Sequence, residues 1–182
     1  NNMRNIITFI LFIASNLITA QIYVCKEGNT KFTSEAPLEL IKAQSNKTSG
    51  VVDCATKNVA FSIDVSSFDG FNSELQKEHF LENYLETEKY PNATFKGKII
   101  ENVDFTKKGV INVRAKGILL IHGVSKEKIV KVQLTIKDKE IFTEAEFEVP
   151  LDEHNIRVPK EKKKKIASVI TVEVKATLKP KA

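Results

Sequence analysis

The sequence predicts an all-β fold, an antiparallel up-and-down barrel with one short amphipathic helix capping an end. Three observations carry this. Apolar and polar residues alternate with period two in six segments between residues 59 and 179, the pattern of a sheet with one dry and one wet face. The segments from 109 to 149 are joined by short polar turns, "HGVSKE" and "KDKE", as a meander requires. One stretch, residues 71–85, abandons period two for a spacing of four. About eight or nine strands in one domain must pair as a sandwich or close as a barrel, and the meander favours the barrel. The chain of 182 residues suits one domain, and 42% hydrophobic residues suffice for its core.

Residues 1–20 come first. Asn1 and Asn2 precede Met3 and read as a translation artefact. Residues 3–20 read as an export signal: Arg4 supplies the positive start, "IITFILFIA" the apolar stretch, and "ITA" a cleavage site before Gln21. The apolar run is short for a stable transmembrane helix, although an uncleaved anchor is the alternative. No Cys stands at the cleavage site, which argues against a lipoprotein anchor. Residues 21–182 then form the single exported domain.

Export makes the two cysteines informative. Cys25 and Cys54 are a disulfide candidate in an oxidising compartment. The closed loop would contribute roughly 3–4 kcal/mol on the chain-entropy model. Two buried free thiols, or a bond between chains, are the alternatives. No ligand spacing among the Cys and the three His suggests a metal. The net charge of +5, less Arg4 after cleavage, is mild. Without interleaved aromatic and basic residues it does not point to nucleic acid.

The strands follow in order. Short ones are expected at 22–26, 30–34 and 49–54. "VAFSIDVSS" turns Val59, Phe61, Ile63 and Val65 to one face. "ATFKGKII" does so with Phe95, Gly97 and Ile99, and "GVINVRAKG" with Ile111, Val113 and Ala115. "IVKVQLTIK" contributes Val130, Val132, Leu134 and Ile136. "EIFTEAEFEVP" contributes Ile141, Ala145, Phe147 and Val149, and "SVITVEVKATLK" contributes Ile170, Val172, Val174, Ala176 and Leu178. This dry face mixes bulky residues with small ones. Small inward residues either fit the taper of a filled barrel or leave volume for a ligand.

The helix belongs to 71–85. Leu75, His79 and Asn83 are four apart, as are Phe80 and Tyr84, and Leu81 and Leu85. The apolar arc is wider than a surface helix needs, so the helix is expected to wedge into the barrel's open end as a lid. Asn72 or Ser73 caps its start, and Pro91 forbids continuation. His79 reads as a polar tip on an aromatic plug, with headgroup contact and general-base catalysis as weaker alternatives. No nucleophile–base–acid set accompanies it. His122 sits in a turn marked by Gly123, and His154 in a loop.

Several of these segments resemble the YceI-like family of exported lipid-binding proteins. They are "FTSEAPLELIKAQS", "QKEHFLENYLETEKYPNATFKGKI", "GILLIHGVSKEKIV" and the closing "NIRVPKEKKKKIASVITVEVKATL". The resemblance runs in order over about residues 22–179. It is most specific in the helix followed by "KYPNATFKGKI", then in the hairpin Leu120–Lys126, which Leu119 and Leu120 make more apolar than is usual. It implies a lipocalin-like extended antiparallel barrel whose interior holds a polyisoprenoid, an isoprenoid quinone or another fatty chain. It also implies a periplasmic location, or secretion where there is no outer membrane, and it carries over no catalytic residue or cofactor.

The expected lining is Phe61, Ile63, Val65, Phe95, Ile99, Val113, Ala115, Val132, Leu134, Ala145, Phe147, Ile170, Val172 and Val174 from the strands. Phe71, Leu75, His79, Phe80 and Tyr84 join them from the lid. The run "KEKKKK", with Lys160, Lys162, Lys163, Lys164 and Lys165, is either a solvated loop or a contact with an anionic membrane surface. The rival readings are a filled barrel serving envelope stress or protein interaction, and an enzyme acting on a lipid or quinone.

Overall fold

The computed structural model of the protein describes residues 21–181. The proposed export signal lies outside them. Eight strands run in chain order around a closed barrel: β1 Ile22–Ala36, β2 Glu39–Asp53, β3 Asn58–Asp64, β4 Asn92–Ile99, β5 Gly109–Ile121, β6 Val124–Ile136, β7 Ile141–Pro150 and β8 Val169–Pro180. Every neighbouring pair is antiparallel, and β8 closes on β1 through pairs such as Phe32↔Val172 and Thr33↔Thr171. The sheet closes on itself, with its shortest ladders between β2 and β3, over Ser49–Val52, and between β6 and β7, over Val132–Ile136. No helix among the described residues is long and apolar enough to cross a membrane.

The N-terminal third is more regular than the sequence suggests. The two short strands expected at 22–26 and 30–34 are one strand, β1, whose register shifts on both sides of Gly28. The bulge bends the strand, and Gly28 allows the bend because a Cβ there would lie 3.2 Å from the carbonyl oxygens of Lys175 and Thr48. Strand β2 begins at Glu39, ten residues before the expected start. Its inward positions Ile41, Ala43, Ser45 and Thr48 are buried, but two of the four are polar, which masks the alternation. The turn at Pro37 and Leu38 joins β1 to β2.

The hairpin between β5 and β6 turns through His122 and Gly123, at φ 51° and 71°. Positive φ at both central residues is the geometry that matches the twist of a two-residue hairpin. His122 therefore has the turn role expected of it.

The interior has two storeys. The lower one is packed solid. Leu178 and Ile141 are fully buried and pair across β7 and β8, with Ile136, Leu134, Val113, Ala115, Ile99, Val52 and Tyr23 around them. The upper one is looser and centres on Ala43, Ile63, Val65 and Phe68, with Phe32, Phe71, Phe80, Leu85 and Ala93 against them.

The expected disulfide is corrected by the register: both cysteines are free thiols. Cys25 pairs with Gly50, whereas Cys54 sits past the end of β2 and donates its backbone N–H to Gln21. Four residues of extended chain separate the two rungs, about 13 Å, and a disulfide needs Cα atoms within roughly 7 Å. Burial, with the Asp53 carboxylate adding to it, pushes the Cys54 thiol up to about 11.

Candidate functional site

A cavity of about 420 Å³ occupies the upper storey. Phe61 and Phe95, paired across β3 and β4, form its floor, since both border the cavity and pack on the solid core below. The Phe61 ring lies over Gly50, its partner in β2, where any side chain would collide with it. The walls are Ile63 from β3 and Val65 from the 3-10 turn after it, Leu119 and Ile121 from β5, Phe147 and Val149 from β7, and Ile170, Val172 and Val174 from β8. Phe32, Ser34, Ile41, Thr30 and Thr48 come from β1 and β2. The hydroxyls of Thr30 and Thr48 hydrogen-bond each other at 2.6 Å, so these two polar groups satisfy one another.

The lid is a short α-helix, α1 Glu74–His79, that widens into a π-turn over Phe80–Tyr84. Ser73 caps it by accepting from the Gln76 N–H, as the sequence predicts. The Leu85 N–H reaches the Phe80 carbonyl, five residues back, which is the π spacing. No residue of α1 or the π-turn is buried, and Leu75 is 59% exposed although it borders the cavity. The helix lies over the opening and does not plug it.

What holds the lid is aromatic contact below and polar contact at its two ends. Phe80 stacks on Phe32 at 5.2 Å and 17°, and Phe68 and Phe71 pack edge-on or tilted around that pair. At the start, the Gln76 side-chain amide donates to Glu39 at 2.8 Å, and that of Asn72 to the Leu40 carbonyl at 3.1 Å. Beyond the π-turn, Glu86 meets His122 Nε2 at 2.6 Å, while His122 Nδ1 donates to the His154 carbonyl at 3.0 Å. Tyr90 packs edge-on against the His122 ring. The hairpin histidine thus fastens the chain leaving the lid, a role its place in a turn did not reveal.

His154 is also more than a loop residue. It lies in a 3-10 turn, Asp152–His154, 1% exposed, with Nδ1 donating to the Val124 carbonyl at 3.1 Å. Burial lowers its pKa below the ordinary histidine value.

The lysine run spans the other side of the mouth. Lys160–Lys162 form a 3-10 turn. The Leu38 N–H donates to the Lys164 carbonyl at 2.8 Å, and the Ala167 N–H to the Ser34 hydroxyl at 2.9 Å. Lys162, Lys165 and Ile166 border the cavity; Lys160, Lys163 and Lys164 do not.

Of the residues expected to line an interior site, Phe61, Ile63, Val65, Phe71, Leu75, His79, Phe80, Tyr84, Phe95, Phe147, Ile170, Val172 and Val174 border the cavity. Ile99, Val113, Ala115 and Leu134 belong to the solid lower core, with Val132 packed against it. Ala145, opposite Val132 on β7, does not reach the cavity either. Phe32, Phe68, Ile41 and Leu119 are wall residues the sequence did not single out. Phe32 sits in a strand whose alternation the Gly28 bulge interrupts. Among the described residues, no side-chain hydrogen bond joins His79 to an acid or a hydroxyl, and no cluster of His, Cys, Asp and Glu is placed to hold a metal.

The sequence model of the YceI-like domain matches residues 25–178. The chain belongs to the YceI-like family. The match runs from Cys25 in β1 to Leu178 in β8, so the family's domain is the barrel, lid and lysine loop included. A polyisoprenoid binding domain from Saccharophagus degradans, implicated in plant cell wall breakdown, shares the fold at a TM-score of 0.74 and 13% identity, over 89% of this chain and 99% of that one. BcnA of Burkholderia cenocepacia does so at 0.69 and 16%, over 82% and 95%. The YCEI protein of Campylobacter jejuni does so at 0.62 and 18%, over 77% and 85%. At these identities the likeness is one of fold. No curated protein matches the chain in sequence.

Proposed function

We propose that this YceI-like protein is exported and holds a long-chain isoprenoid, an isoprenoid quinone or a similar amphiphile in its upper cavity, for transport, storage or sequestration. The observation that carries the reading is the cavity itself, walled by aliphatic and aromatic side chains above a solid core. Its size is within the usual range of ligand pockets. An apolar cavity of ~150 Å³ takes one benzene, so about 420 Å³ takes an apolar chain on the order of 15 carbons, three isoprene units. A longer chain would extend past the lid. Burial contributes roughly 0.8 kcal/mol per methylene, enough for micromolar binding after the cost of association. The cavity-bordering residues are the proposed contacts, and Phe32 and Phe80 clamp the chain under the lid.

The reading is supported by the Saccharophagus degradans neighbour, described as a polyisoprenoid binding domain. It requires no catalytic group, and the protein acts as a binder and not as an enzyme. The rival of a side-chain-filled interaction barrel accounts for the lower storey but not for the hollow one. Delivery to a bilayer would bring Lys160, Lys163 and Lys164 against anionic headgroups; unchanged sedimentation with anionic liposomes after their replacement by Gln would remove that step.

Native mass spectrometry of protein from the exported fraction tests the proposal. A stoichiometric adduct that extracts into organic solvent as an isoprenoid or fatty chain is the expected result. Apo mass alone, with no binding of added quinones, polyprenols or fatty acids, overturns it in favour of the interaction barrel.

A further inference from the structure

Lys162 and Lys165 are three residues apart on one turn, closed by hydrogen bonds from the Lys165 and Ile166 N–H groups to the Lys162 carbonyl. That spacing puts both on the same side of the turn, and that side borders the cavity, while Lys163 and Lys164 lie off it. Ile166 borders the cavity beside them, so the turn offers an apolar surface and two ammonium groups together. The turn is held in place by the Leu38 and Ala167 hydrogen bonds to the β1–β2 hairpin.

The charge at the mouth is not balanced from within. Among the described residues neither Lys162 nor Lys165 has a carboxylate within salt-bridge distance. Glu39 is the one carboxylate on the cavity wall, and its Oε1 accepts from Gln76 and Asn72 at the start of the lid. Burial, with the Glu161 carboxylate adding to it, raises the pKa of the Tyr84 hydroxyl on the lid. Two cations at the open end of an apolar cavity match one class of ligand, a chain that ends in an anion.

We propose that the cavity selects amphiphiles with an anionic headgroup, a carboxylate or a phosphate, held at the mouth between Lys162 and Lys165 with the chain running down to Phe61 and Phe95. This rests on the lipid-binding reading above and narrows its ligand class. The contacts are charge-assisted and partly exposed, so they favour the anion over the matching alcohol by about tenfold at low salt, and by less at high salt.

The test uses the full mature chain, stripped of lipid, in calorimetric titrations with matched pairs: dodecanoate against dodecanol, and farnesyl phosphate against farnesol. The anion of at least one pair is expected to bind about tenfold more tightly than its alcohol. The pair that shows the preference says whether a carboxylate or a phosphate is the better fit. The double variant Lys162→Gln/Lys165→Gln should lose the preference, its affinity for the anion falling to that for the matching alcohol, and Lys163→Gln/Lys164→Gln should keep it. Equal binding of anion and alcohol overturns the headgroup inference and leaves the lipid-binding reading standing. A preference that survives in the first double variant overturns the assignment to these lysines. No binding of any probe overturns both.

Discussion

Two leucines of the same barrel should respond differently to the same truncation. Leu178 is fully buried in the solid lower core against Ile141, and Leu119 is 5% exposed on the wall of the cavity. Changing either to Ala removes three carbons from an apolar environment, about 2.4 kcal/mol at ~0.8 per carbon. At Leu178 a second cost is added, because hydrogen-bonded strands on both sides prevent the hole from closing. Leu→Ala substitutions in such cores cost about 2.7–5 kcal/mol, and Leu178→Ala belongs near 4–5. Leu119 already faces empty space on one side, so its removal enlarges a void without breaking a full shell of contacts. Leu119→Ala should cost about 2–2.5 kcal/mol. Urea unfolding of lipid-free protein separates the two. With a slope near ~2 kcal/mol per molar, the difference of about 2 kcal/mol is a midpoint shift of about 1 M. Equal losses, or a larger loss at Leu119, would mean that the upper storey is packed as densely as the lower and that the cavity is not hollow.

Further outcomes follow from other parts of the structure. Intact mass after denaturing alkylation without reductant should show two modified thiols, Cys25 and Cys54; an unmodified protein two mass units light would restore the disulfide. In the native state Cys54 should alkylate slowly at pH 8, since its thiol is raised to about 11. Burial lowers the pKa of His154, so the unfolded chain binds its proton more readily. Its contribution is fully present above the ordinary histidine pKa and is lost as pH falls below it, with a slope of up to about 1.4 kcal/mol per pH unit; His154→Gln should flatten the acid limb of the stability–pH curve, and an unchanged limb would refute the cause. Gly97→Ala should destabilise by about 1–3 kcal/mol, because its Cβ would lie 2.8 Å from Gly117 Cα and collide with the Lys116 carbonyl, backbone that no rotamer relieves; a neutral effect in thermal unfolding would show that the strands separate there at little cost.

Much of the barrel was legible because its signals are local. Period two in "IVKVQLTIK" reports a strand with one buried face whatever its partners, and β6 has Val130, Leu134 and Ile136 buried as that reading requires. Ser73 at the head of an i, i+4 pattern reports a helix start, and it caps α1. Where a local signal is diluted, the reading stopped short. Ser45 and Thr48 face inward in β2, hydrogen-bonded to Ser67 and Thr30, and polar residues at inward positions erase the alternation that marks a strand. The bulge at Gly28 shifted the phase of β1 in mid-strand, and two short strands were expected where one long strand runs.

The sequence alone determined the family, the antiparallel barrel, the lid and the face that β3 to β8 turn inward. Tertiary structure decided height along the barrel axis. Phe147 and Ala145 stand two residues apart on the same face of β7, yet one borders the cavity and the other does not. Ile63 borders it and Ile99 lies in the solid core. Alternation fixes which side of a sheet a residue occupies, because that depends on the backbone of one strand. The level at which it sits, and so whether it meets a ligand or another side chain, depends on the register of all eight strands at once. The same holds for Cys25 and Cys54, which share one end of the barrel but sit four rungs apart. It holds too for the lysine run, in which only the fold of the turn singles out Lys162 and Lys165.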